Sequence, residues 1–144
     1  MDSFFYGSKL HSMIFNFIPY RLNTDLADFK DNLRYLETDN GIDLYKDKRK
    51  ISLLNFDILD TNLYFFEASL ITLYFQINTS SANVDQVVKC LAEVINEKQN
   101  ILKIHSGIVY YWLNESQFLG IVSSDNETKL YFTLKHYNVF DQYL

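Results

Sequence analysis

The sequence predicts an α+β fold of two layers, in which an antiparallel β-sheet carries two helices on one face. Three observations favour this fold: segments of alternating apolar and polar residues, two segments with helical spacing, and 17% aromatic residues beside only four Gly and one Pro. Tyr and Phe fit the pleated surface of a strand, whereas Gly and Pro interrupt strands. A chain of 144 residues can bury one core without disulfides. We therefore expect a single domain over residues 1–144.

The first half of the chain begins with an alternating segment from Met13 to Ile18, which ends at Pro19 and predicts a short strand. Apolar residues at helical spacing then predict a helix from Thr24 to Asp39, with Asn40-Gly41 as its stop. The apolar stripe of this helix consists of Leu26, Phe29, Leu33 and Leu36.

A hairpin is predicted next, because Ile42 to Tyr45 and Ile51 to Phe56 flank the charged pentapeptide Lys46-Asp47-Lys48-Arg49-Lys50. We expect this pentapeptide to be a solvated tip. Contact with phosphates is the less favoured alternative, since an acidic residue lies inside the run and the net charge of the chain is −5. Strands from Leu63 to Glu67 and from Leu70 to Asn78 follow. The second of them is apolar on both faces and is predicted to lie in the middle of the sheet.

The second half is predicted to contain one helix and four strands. The helix begins at the cap residues Ser80 to Asn83 and ends near Lys98, because its Val, Leu and Ile side chains form one stripe. The strands are Ile101 to Ile104, Gly107 to Leu113, Gln117 to Ser123 and Lys129 to His136. Residues 13–67 and 70–136 thus share one order of elements. We expect a degenerate tandem duplication of a β-α-β-β-β unit, with these ranges as pseudo-repeat halves.

The chain contains no recognisable catalytic motif, so we expect a protein that is not an enzyme and binds no cofactor. Its Gly residues are isolated, which excludes the common Gly-rich phosphate loops, and its three His residues lie far apart, so no metal site is predicted. Asp57 and Asp60 form a carboxylate pair, but a predicted turn accounts for both. Cys90 is expected to be partly exposed on the second helix beside Glu93 and Glu97, where a thiolate is disfavoured.

The excess of Tyr indicates a binding protein, because one small core cannot hide every ring and exposed Tyr is enriched at interfaces. We predict a non-enzymatic module that binds another protein, such as an immunity or anti-defence protein or an inhibitor of a partner enzyme. The candidate partner-binding residues are Tyr64, Tyr74, Tyr110, Trp112, Tyr131, Tyr137 and Phe140. The segment from Tyr137 to Leu144 fits either a short docked turn or a peptide that anchors in a partner.

Two alternative functions remain open. One is a small ligand-binding domain or enzyme whose site is assembled from distant residues. The other is a self-assembling structural subunit, in which an aromatic face pairs with its copy, for example in a homodimer.

Composition also predicts the surroundings of the protein. The net charge of −5 opposes phosphate backbones, so no nucleic-acid partner is expected. No apolar run reaches the roughly 20 residues that cross a bilayer, so we expect no membrane association. Residues Met1 to Lys9 lack the pattern of a signal peptide, and a single Cys cannot form an intramolecular disulfide. We therefore expect a cytoplasmic protein.

Overall fold

The computed structural model describes residues 17–79 and 83–144, apart from the side chain of Lys30. These residues form nine β-strands and one α-helix: β1 (Leu33–Asp39), β2 (Ile42–Asp47), β3 (Ser52–Leu53), β4 (Phe56–Phe66), β5 (Ser69–Ile77), α1 (Val84–Ile95), β6 (Asn100–Ile104), β7 (Gly107–Leu113), β8 (Gln117–Ser124) and β9 (Glu127–Leu134). Short 3₁₀ turns occupy Leu26–Asp28, Lys30–Asn32, Lys135–Tyr137 and Asp141–Tyr143.

The strands form one antiparallel sheet in the order β1-β2-β4-β5-β9-β8-β7-β6, and β3 pairs with the beginning of β4. As predicted, β5 lies in the middle, between β4 and β9. The chain leaves β5 through α1 and reaches the far edge strand β6. The last four strands then return towards β5, so the second half of the sheet is built by consecutive hairpins.

One α-helix covers one face of the sheet. It begins at Asn83, whose side chain accepts a hydrogen bond from the backbone N–H of Gln86 at 2.9 Å. It ends at Asn96, which has a left-handed backbone with φ of 59°. The second predicted helix is thus confirmed, although it ends before Lys98, and its predicted caps Ser80 to Ala82 lie outside the described residues. The buried helix residues Val87, Val88, Leu91 and Ile95 share one core with Leu73, Phe75, Leu119, Ile121, Leu130 and Phe132.

The prediction of two helices on one face is wrong, because residues 24–39 form two 3₁₀ turns and strand β1. Asn40 and Gly41, interpreted as a helix stop, have φ values of 51° and 79° and make the two-residue turn between β1 and β2. In the supposed helical stripe Leu33 is buried, whereas Leu36 lies at a β-bulge and is 42% exposed. The predicted duplication of a β-α-β-β-β unit is therefore wrong as well.

The hairpin predicted around the charged pentapeptide is replaced by a different pairing. β2 pairs with β1 and β4, whereas β3 forms a short hairpin with the beginning of β4. The turn of this hairpin is Leu54-Asn55, and both residues have positive φ.

The strand predicted from Met13 to Ile18 lies largely outside the described residues. The strands predicted for the second half are confirmed within two residues, β7 with the predicted bounds. Within the described ranges, no helix is both long and apolar enough to cross a membrane.

Candidate functional site

Alternation along the strands divides the sheet into a helix-covered face and a helix-free face. Strand β7 shows the division: Tyr110 and Trp112 pack into the core beneath α1, while Tyr111 packs with Val109 and Phe118 on the opposite face. The structure thereby separates the candidate partner-binding residues. Tyr64, Tyr74, Tyr131, Tyr137 and Phe140 lie on or against the helix-free face, and Tyr110 and Trp112 lie on the other.

Five rings from five neighbouring strands contact one another across the helix-free face. We call them the aromatic row, which consists of Tyr64, Tyr74, Tyr131, Phe118 and Tyr111 in spatial order. Successive ring centroids are 5.8, 4.6, 5.7 and 5.4 Å apart. These separations fall in the range at which aromatic pairs attract one another. Phe118 and Tyr111 were not among the residues predicted from the sequence.

Gly120 makes room for this row. Its register partners are Tyr111 on β7 and Tyr131 on β9, so the position between these two residues carries no side chain. The ring of Phe118 occupies the space: a Cβ atom at residue 120 would lie 2.9 Å from Cε1 of Phe118 and 3.3 Å from Cγ1 of Val109. Because normal Cβ contacts are longer, the packing of the row requires glycine here.

The C-terminal segment, residues 135–144, covers the middle of the aromatic row at Tyr131 and Phe118. The hydroxyl of Tyr131 accepts a hydrogen bond from the backbone N–H of Val139 at 3.0 Å and donates one to the backbone oxygen of Tyr137 at 3.3 Å. The ring of Phe140 meets Tyr131 edge-on at 5.6 Å and tilts against Phe118 at 6.1 Å. Of the two interpretations of this segment, the docked turn is therefore the one that the structure shows.

The Tyr64 end of the row is partly open to solvent. Leu44 lies beside Tyr64, and Ile42 lies beside Phe66, because each pair is in register between β2 and β4. All four side chains are half-buried or exposed. Tyr137 reaches this region from the C-terminal segment, with its ring 6.2 Å from that of Phe66. We call Ile42, Leu44, Tyr64, Phe66 and Tyr137 the open patch.

Acidic side chains border the open patch on its outer side. In the register of β1 with β2, Glu37 is opposite Leu44 and Asp39 is opposite Ile42. Both acidic residues are exposed, and so is Glu67 in the turn that follows Phe66. We call Glu37, Asp39 and Glu67 the acidic rim. The open patch is thus an apolar and aromatic surface with a negatively charged border.

Three tyrosines of the row, Tyr64, Tyr74 and Tyr131, remain protonated over the physiological range. Burial raises the pKa of Tyr74, and it also raises the pKa of Tyr131 against the opposing effect of the hydrogen bond from Val139. Burial and then the charge of Glu37 raise the pKa of Tyr64. Because their pKa values are raised, these hydroxyls are poorly suited to act as general bases at neutral pH.

The helix-covered face holds the two remaining predicted residues. Trp112 is only 3% exposed, and its Nε1–H donates a hydrogen bond to the backbone oxygen of Glu97 at 2.9 Å. It therefore fixes the segment that follows α1. Tyr110 is half-buried and lines a shallow groove beside the helix with Val88 and Ala92. Trp112 and the fully buried Tyr131 present no ring surface to a partner in this structure.

Residues with metal-binding potential form no candidate metal site in the described part of the chain. Cys90 is half-buried, as expected, and burial followed by the charge of Glu93 raises the pKa of its thiol. His105 and His136 are both exposed in turns. Among residues 17–79 and 83–144, no cluster of three or more His, Cys, Asp or Glu could hold a metal ion.

A second concave region is formed by charged residues that the sequence had placed in two separate loops. The pentapeptide at the end of β2 and the residues Asp57 and Asp60 line one cleft of about 720 Å³. Both Asp residues lie in strand β4 and not in a turn. Lys46 Nζ and Asp60 Oδ1 are 2.7 Å apart and form an ion pair across β2 and β4.

Comparison with known proteins identifies no family. No protein-family model matches the chain, and no curated protein matches it. A crystal structure described as a cysteine-rich secretory protein from Staphylococcus aureus subsp. aureus Mu50 is similar with a TM-score of 0.44 and 14% sequence identity. The match covers 80% of this chain but only 45% of that protein.

Proposed function

We propose that the protein is a non-enzymatic module that binds another protein through the open patch. The observation that carries this proposal is the open end of the aromatic row, where Tyr64 is half-buried and Phe66, which is 36% exposed, packs against Tyr137. Rigid aromatic rings in an apolar patch are typical of the residues that dominate the binding energy of protein interfaces. Tyr74 packs against Tyr64 and holds its ring in position, which lowers the entropy lost on binding.

The acidic rim indicates the chemistry of the partner. Glu37, Asp39 and Glu67 give the border of the patch a negative charge, in agreement with the net charge of −5 for the chain. A partner surface with Arg side chains would satisfy both the carboxylates and the tyrosine faces. A basic enzyme that the module inhibits, as an immunity protein would, fits this description.

Affinity capture from a lysate of the native host, or of its rival or virus, tests the proposal. Three baits are compared: the wild-type protein, Tyr64→Ala, and Ile101→Ala as the control. Ile101 is 59% exposed on the edge strand β6, at the opposite end of the sheet. We expect the wild type and Ile101→Ala to retain one stoichiometric partner that Tyr64→Ala loses, while circular dichroism shows that all three baits are folded.

Two other results would contradict binding of another protein through the open patch. A partner retained equally by Tyr64→Ala would place the interface outside the open patch. A dimer in light scattering, without any captured protein, would favour the self-assembling subunit, and its dissociation by Tyr64→Ala would identify the same patch as the contact between copies.

We also propose that the protein acts in the cytoplasm. The support is its single cysteine, which is a free thiol, since structural disulfides are typical of small proteins in oxidising compartments. Cell fractionation with an antibody to the protein tests this, and recovery in an extracellular fraction would contradict it.

A further inference from the structure

The cleft at the beginning of β4 is lined by more basic residues than acidic ones. Its basic residues, which we call the cation cluster, are Arg34, Lys46, Lys48, Arg49 and Lys50. They face three carboxylates, those of Asp47, Asp57 and Asp60, which leaves an excess of two positive charges in the lining of the cleft. This excess occurs in a chain whose net charge is −5.

Two of the three carboxylates are already neutralised. Asp60 pairs with Lys46, and the side chain of Asp47, which has no exposed surface, pairs with Arg49. None of the remaining cations, Arg34, Lys48 and Lys50, forms an ion pair with a carboxylate of the described residues. They share the cleft with one exposed carboxylate, that of Asp57.

The strand register places two positive charges opposite each other, which lowers the stability of the sheet. Arg34 on β1 and Lys46 on β2 are direct partners in the antiparallel ladder. Like charges directly opposite each other destabilise a strand pair. An arrangement that breaks a local rule of stability is often found where a ligand binds, because the ligand supplies the missing opposite charge.

Arg49 is held in place before any ligand arrives. Its backbone N–H and its Nε–H donate to Oδ1 of Asp47 at 2.8 and 3.2 Å, and its Nη2 donates to Oδ2 of Asp47 and to the hydroxyl of Tyr20, both at 3.0 Å. Half of the Arg49 side chain is nevertheless exposed. A guanidinium fixed in this way loses little conformational entropy when its free edge binds an anion.

We propose that the cation cluster binds a small molecule bearing a phosphate group. The cleft volume of about 720 Å³ lies within the range of small-molecule sites. Three cations that have no carboxylate partner among the described residues suit a phosphate dianion better than a singly charged carboxylate. A nucleic acid is disfavoured, since the field of a chain with net charge −5 repels an extended polyanion far more than a single phosphate group.

This site shares no residue with the open patch, so the two proposals can fail independently. Inorganic phosphate and pyrophosphate are the probes, titrated at low salt and followed by isothermal calorimetry and by amide chemical shifts. We expect saturable binding at one site, with the largest shifts at the backbone amides of residues 48–52, and tighter binding of pyrophosphate because it carries more charge.

Matched double variants decide the position of the site. K48Q with K50Q removes two cations of the cluster, and K89Q with K103Q removes two exposed lysines from α1 and β6 with the same change in net charge. We expect the first pair to weaken pyrophosphate binding by about tenfold or more and the second pair to change it by less than about twofold. Lys48 and Lys50 are exposed, so both variants should keep the wild-type melting temperature.

Three results would overturn the proposal. They are the absence of saturable binding to the wild type, equal weakening in both double variants, and binding of a single-stranded oligonucleotide under conditions in which pyrophosphate does not bind.

Discussion

Tyr74 of β5 and Tyr131 of β9 are direct register partners, and their rings stack with centroids 4.6 Å apart at an interplanar angle of 22°. Through its hydroxyl, Tyr131 also holds the backbone of the C-terminal segment at Val139 and Tyr137. One side chain therefore connects the central strands of the sheet to the end of the chain. The stability of the aromatic row and the docking of the C-terminal segment should accordingly depend on the same residue.

Tyr131→Phe keeps the ring and removes only the hydroxyl. We expect a loss of about 0.5–1.5 kcal/mol in the free energy of unfolding, measured by urea denaturation, since two backbone groups lose a partner. Amide exchange at Val139 should become faster, because its N–H no longer donates to this hydroxyl. Tyr143→Phe is the control, as Tyr143 is 58% exposed and should change neither quantity. Unchanged exchange at Val139 would show that the segment docks without this bond.

Gly120→Ala should destabilise the protein by overpacking. The added Cβ would come within 2.9 Å of the Phe118 ring, and such insertions into a packed core cost about 1–3 kcal/mol. Thermal denaturation of Gly120→Ala, Phe118→Leu and the double variant forms a mutant cycle. Because the smaller leucine gives the new methyl group space, the double variant should lose less stability than the sum of the single variants. Simple additivity would contradict the contact.

The second half of the fold was predictable because local signals agreed with the tertiary structure. In β9, Leu130 and Phe132 alternate with Lys129 and Tyr131, and the pattern matches the faces that the structure buries under the helix. In the first half, Asn40-Gly41 suits both a helix stop and a hairpin turn. The sequence spacing of Leu26, Phe29, Leu33 and Leu36 favoured the helix. Pairing of β1 with β2 outweighs that local preference, and pairing is not visible in a single segment.

The candidate site was predictable only in part, for a similar reason. Tyr64, Tyr74 and Tyr131 were selected as exposed aromatic residues, but their mutual contact depends on the order β4-β5-β9, which the sequence does not state. Tyr111 and Phe118 were missed, although alternation along β7 is enough to place Tyr111 on the face that Tyr110 and Trp112 do not occupy. The cleft could not be predicted from any single segment, because its lining residues come from the end of β2 and the beginning of β4.

Trp112 should behave as a core residue. Trp112→Ala removes a side chain that is 3% exposed, and we expect a loss of about 3–5 kcal/mol in thermal unfolding followed by circular dichroism. Trp112→Phe should cost less, because it retains most of the packing and loses chiefly the hydrogen bond to the Glu97 carbonyl. Leu113→Ala, at the neighbouring 43% exposed position, is the control and should change stability by less than about 0.5 kcal/mol. A Trp112→Ala variant as stable as this control would place the ring outside the core.

Asp47→Asn should destabilise the loop between β2 and β3. The Asp47 carboxylate accepts hydrogen bonds from the backbone and side chain of Arg49, and the amide of Asn can replace only part of them. Because Arg49 is half exposed and can be rehydrated, we expect a moderate loss of about 1–3 kcal/mol in urea denaturation. Asp57→Asn changes an exposed carboxylate of the same cleft and should have little effect. Equal effects of the two substitutions would show that burial of Asp47 is unimportant.

Stability should fall at alkaline pH because of the aromatic row. Burial raises the pKa of Tyr74 and Tyr131 above the value of 10.0 that tyrosine has without such effects. In this region the folded protein binds more protons than the unfolded chain, so the free energy of unfolding decreases as the pH rises above about 10. Below that pH the stabilising contribution is complete. Urea denaturation at about pH 8 and about pH 11 should therefore show a loss that Tyr74→Phe reduces, since phenylalanine cannot ionise in the unfolded chain. Tyr143→Phe, at an exposed position, should retain the wild-type loss, and an equal loss in Tyr74→Phe would contradict the role of the buried phenol.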